Sequence, residues 1–69
     1  MEKEYIVNFE VEYCEDNCMQ GIFNEETVID EVRDFLEARY GSRLKWFVIS
    51  ENSVNGVEEI YNSRKTNII

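Results

Sequence analysis

Every second residue from position 5 to position 13 is apolar: Tyr5, Val7, Phe9, Val11 and Tyr13 share one side, while Glu4, Ile6, Asn8, Glu10 and Glu12 share the other. Side chains alternate across an extended backbone, so this period of two predicts a β-strand over residues 4–13 with one buried and one wet face. A strand so patterned commits the chain to a sheet and to an element that covers its apolar side.

The cover is expected in residues 25–40. Val28, Ile29, Val32, Phe35, Leu36 and Tyr40 recur at three- and four-residue spacing, which puts them on one face of an amphipathic helix roughly 24 Å long. Asn24 is a natural N-cap, Glu25 and Glu26 suit the positive end of the helix dipole, and Phe23 can pack on Val28 from before the cap. Arg39 in the last turn and Gly41 just past it mark the end.

Trp46-Phe47-Val48-Ile49 is apolar on both faces, so residues 44–50 are expected as the middle strand of the sheet. Asn55-Gly56 between Val54 and Val57 is a hairpin signal that makes residues 57–63 the returning strand. A rival reading is a second helix from Ser53 with Val54, Val57, Ile60 and Tyr61 on one face. Asn-Gly inside a helix costs roughly 1 kcal/mol or more, which favours the hairpin. Residues 14–18, bounded by Cys14 and Cys18, read as a turn, with residues 18–22 either a short second strand or irregular. The expected fold is α+β in one domain spanning residues 1–69: a single amphipathic helix packed on a small, mostly antiparallel sheet, ββαββ or βαββ.

With 69 residues the core is thin, because a domain of this size buries only about 60% of the surface its unfolded chain exposes. Charge is the other strong feature. The net charge is −8, and residues 1–31 hold ten acids and one base while residues 32–69 hold five acids and six bases. Such a field repels free nucleic acid and anionic membrane surfaces. The longest apolar run is four residues, far short of the ~20 that a spanning helix needs, and the N-terminus has no signal-peptide pattern; a cytoplasmic location is expected.

Glu4, Glu10 and Glu12 share the outward face of the first strand, Glu15 and Asp16 sit in the turn at its end, and Glu25 and Glu26 would extend the patch if the helix begins nearby. A row of carboxylates can dock on a basic groove and imitate phosphates there. The bland alternative is that Arg43 and Lys45 lie across from Glu10 and Glu12 and neutralise them. Ile6, Phe47 and Ile49 are read as an apolar cluster on the same outward face, a candidate dimer surface unless the C-terminal residues 66–69 fold over it.

Cys14 and Cys18 are separated by three residues, which is neither the C-x-x-C of thiol oxidoreductases nor a zinc set, and the chain has no histidine to complete one. A redox or metal sensor at these two thiols is the third functional reading. Without histidine, a phosphate-cradling glycine loop or a nucleophile elbow, enzymatic activity is not expected, and no cofactor is implied. The first reading is therefore a non-enzymatic module that docks on a protein partner with a basic surface. In composition alone, the chain is similar to the small, acidic, histidine-poor stoichiometric inhibitors that low-GC bacteria and their phages encode, which implies a blocking role.

Overall fold

The structure, a computed structural model, describes residues 2–65, and of Glu15 and Asp16 the backbone alone. The element order is ββαββ: β1 (Glu2–Val11), β2 (Cys14–Asn24), α1 (Val28–Tyr40), a short 3-10 turn (Gly41–Arg43), β3 (Leu44–Ser53) and β4 (Gly56–Asn62). The four strands form one antiparallel sheet in the order β2-β1-β3-β4, with the helix on one face. Among the described residues no helix is long and apolar enough to cross a membrane.

The alternation in β1 sets the core. Tyr5, Val7, Phe9 and Val11 are buried and meet Val28, Val32 and Leu36 of the helix. β3 joins them through register: Val7 pairs with Ile49 and Phe9 with Phe47. Directly opposed residues of an antiparallel pair point to the same side, so Phe47 and Ile49 must face the helix. They are 5% and 0% exposed. The expectation that Phe47 and Ile49 stand outward beside Ile6 is thus corrected. An apolar run reads identically on both faces, and only the register to β1 decides which side each residue takes.

Three boundaries also differ. The first turn is at Glu12 and Tyr13, not at residues 14–18, and Tyr13 adopts a φ of 70° there with its side chain 90% exposed. β2 consequently runs the full length of β1, from Cys14 paired with Val11 to Asn24 paired with Glu2. The helix starts at Val28 with Thr27 at its N-cap position. Asn24 instead accepts the Glu26 N–H on its Oδ1 at 2.8 Å, while its carbonyl accepts the Thr27 N–H. This Asx turn delays the helix by one short loop. Phe23 stays on β2 and packs its ring against Tyr5, with centroids 6.4 Å apart.

The expected C-terminal hairpin forms, but its turn is at Val54 and Asn55, one residue before the expected Asn55-Gly56, so that Ser53 pairs with Gly56 and the returning strand is Gly56–Asn62 rather than 57–63. Gly56 takes φ +117°, and the Ser53 hydroxyl braces the turn by accepting the Asn55 N–H and donating to the Gly56 carbonyl.

Candidate functional site

The helix covers one side of the sheet, so β1 and β3 turn a second face away from it, on which Ser50 is 7% exposed and Ile6, Trp46, Val48 and Asn52 are half-buried. Glu4, Ile6, Asn8 and Glu10 alternate with the core residues of β1 on that face, and Trp46, Val48, Ser50 and Asn52 do so on β3. Its carboxylates are held. Glu4 accepts a hydrogen bond from Asn52 Nδ2 at 2.7 Å on one oxygen and from Gln20 Nε2 at 3.4 Å on the other. Glu10 accepts the Trp46 indole N–H at 2.7 Å and has the Lys45 ammonium 4.0 Å away. The Arg64 guanidinium lies over the Trp46 ring, 4.4 Å from its centroid. Glu10 is therefore compensated by bases from the second half of the chain, as the bland alternative required of Lys45. Arg43 instead offers its backbone carbonyl to the Glu12 N–H at 2.9 Å.

The remaining predicted acids do not gather with these. Glu12 is exposed at the hairpin end, where Glu10, Val11, Glu12, Tyr13, Cys14 and Lys45 line an open cleft of about 530 Å³. Glu15 and Asp16 follow on β2; their side chains lie outside the described part. Glu25 and Glu26 stand at the other end of the sheet, because β2 runs away from the hairpin and ends opposite Glu2. Glu4 and Glu10 alone are separated by roughly 20 Å of extended strand. Glu25 is paired with Lys3 at 3.1 Å, and the same ammonium lies 3.5 Å from Glu51 on β3. The Glu25 contact chiefly, then Glu51, raises the Lys3 pKa above its ordinary value. The expected continuous patch is divided into a hairpin-end group and a helix-entry group, since the helix begins at the far end of β2.

A different row of acids is contiguous. Asp30, Glu31, Asp34 and Glu37 are exposed on α1, opposite the buried Val28, Val32 and Leu36. Positions 30, 34 and 37 follow the helical repeat, so their carboxylates stack along roughly 10 Å of axis. Arg33 pairs with Asp30 at 3.2 Å, and the Thr27 hydroxyl donates to Glu31 at 2.8 Å. Asp34 has no side-chain hydrogen bond or ion pair among the described residues. The Tyr61 hydroxyl first, with Asp30 and Glu37 nearby, raises the Arg33 pKa. Counting charge by halves of the chain hid this row; counting it at helical spacing finds it.

Cys14 and Cys18 are both exposed free thiols on one extended strand. Their separation, on the order of 10 Å, exceeds the roughly 7 Å Cα limit for a disulfide. Among the described residues no three histidine, cysteine, aspartate or glutamate side chains come together to hold a metal ion. No family model, no curated protein and no solved structure matches this chain.

Proposed function

We propose that the chain is a small protein-binding module without catalytic chemistry, which docks by charge on a basic surface of a partner protein and blocks it. Partners that handle nucleic acid present such surfaces. The observation that carries this reading is the exposed row Asp30, Glu31, Asp34 and Glu37 on α1, with Glu26 just before it, against which Arg33 is the cation that forms an ion pair. Like charges at helical spacing destabilise a helix by tenths of a kcal/mol per pair, so retaining them on a thin domain is consistent with use in binding. The row stands on a rigid element clamped by three fully buried side chains, which keeps its geometry fixed before docking.

The test is charge reversal. A variant carrying Asp30→Lys, Asp34→Lys and Glu37→Lys is expected to weaken capture of the basic partner by about tenfold or more. The same reversal at Glu4 and Glu10, which are held within the sheet, should do less. Equal capture by all variants would reject the reading.

A further inference from the structure

Among the described residues the sheet has two open edges, β2 and β4, and they are built differently. β4 is seven residues long, has a register break against β3 and carries Glu58 and Glu59, with Arg64 and Lys65 following. Short length, a bulge and charge all discourage another strand from adding. β2 has eleven residues, and over residues 17–24 it contains no charge and no proline and keeps unbroken register with β1. The outward N–H and C=O groups of this stretch form a regular row roughly 27 Å long. Beyond the ladder, the one backbone bond among the described residues that reaches it is Thr27 N–H to the Asn24 carbonyl, at its extreme end.

The side chains along this edge are also incompletely covered. Ile22 is 68% exposed, and Met19 and Phe23 are half-buried at the margin of the core. A strand added here would complete their burial.

The ends of the run decide what that strand is. Glu15 and Asp16 precede it in sequence, and Glu25, which shares the Lys3 ammonium with Glu51, and the exposed Glu26 follow it, so acids outnumber bases at both ends. A second copy pairing antiparallel about the centre of the run would set Asp16 beside Glu25 and Glu15 beside Glu26 at both ends. Like charges so placed repel, on top of a net charge of −8 per chain. A segment with lysine or arginine at both ends meets the opposite charge instead.

We propose that the free edge of β2, residues 17–24, is a strand-addition site for an extended segment of a partner protein, β-branched or apolar in the middle and basic at both ends. The inference rests on reading the partner as basic, and it supplies ladder hydrogen bonds and register where charge alone supplies attraction.

The probe is a synthetic peptide of eight alternating threonine and valine residues with two lysines at each end, added to the full chain while its amide shifts and hydrogen exchange are followed. Outward-facing amides among residues 17–24 should shift and exchange about tenfold more slowly. A peptide with glutamates replacing the lysines should not bind. Gln20→Lys with Ile22→Lys, both at exposed positions, should weaken binding about tenfold while the remaining amide spectrum stays native. Shifts confined to α1 would overturn the site while leaving charge-driven docking intact. Shifts in β2 that grow with chain concentration alone would put a second copy there and overturn it. Absence of any β2 response would overturn it too.

Discussion

Asn17 shows how a single side chain can be out of balance with its surroundings. It is paired across from Phe9, half-buried, and its Nδ2 is buried without a hydrogen-bond acceptor among the described residues. A buried donor left unsatisfied costs roughly 1–3 kcal/mol. Asn17→Val should therefore raise the urea midpoint, by about 1 kcal/mol in stability; an unchanged or lowered midpoint would show that the amide is satisfied. Tyr5 is the second such residue. It is 1% exposed, and burial, followed by the nearby Glu51 charge, raises its phenol pKa above the ordinary value of 10.0. The folded state then holds that proton more tightly than the unfolded one. The resulting stability is fully present below pH 10 and is lost as pH rises through the folded value. Alkaline unfolding followed by circular dichroism should accordingly begin above about pH 10, and Tyr5→Phe should move it upward. Part of the loss will persist in the variant, because Lys3 also has a raised pKa and loses its Glu25 and Glu51 partners in the same direction. Neither residue could be flagged from sequence, since both consequences depend on how the folded sheet buries each side chain.

Among the elements, those with a sustained period were legible. The alternation of β1 and the three-and-four spacing of α1 each state their own geometry, and the sheet and single helix follow from them. β2 was only half legible, because residues 17–24 mix Asn, Cys, Gln and Gly with the apolar Met19, Ile22 and Phe23 and have little β-propensity of their own. Its partner β1 imposes the strand on it. Gly21 fits that reading: a Cβ there would come within 3.0 Å of the Phe23 ring, which folds over it on the helix side. The β3–β4 turn was legible through Gly56 rather than Asn55, for Gly56 alone of the pair has a positive φ. Gly56→Val should cost about 1–2 kcal/mol in chemical denaturation, whereas Asn55→Ala should cost little. Similar costs at both positions would mean that the turn is not set by the glycine. The candidate dimer surface failed at this scale, since Phe47 and Ile49 belong to the core and Ile6 is left without its proposed companions.

For the whole molecule, the sequence showed that charge is in excess but not where it collects. Acids counted along the chain suggested one patch at its beginning. Folding sends Glu25 to Lys3, Glu10 to Lys45 and Trp46, and Glu4 to two amides, and leaves on the outside of α1 a row of four acids in which Arg33 pairs with Asp30 alone. This redistribution could not be read without knowing that β2 carries the chain away from the first hairpin before the helix starts. In the proposed function, this residual field drives docking on a basic protein. The most direct test is the affinity for the captured partner measured from about 0.05 to 0.5 M salt, a range over which the screening length falls well below the size of the row. Binding should weaken by about tenfold or more, chiefly through slower association; an affinity that stays level across the series would contradict charge-driven docking.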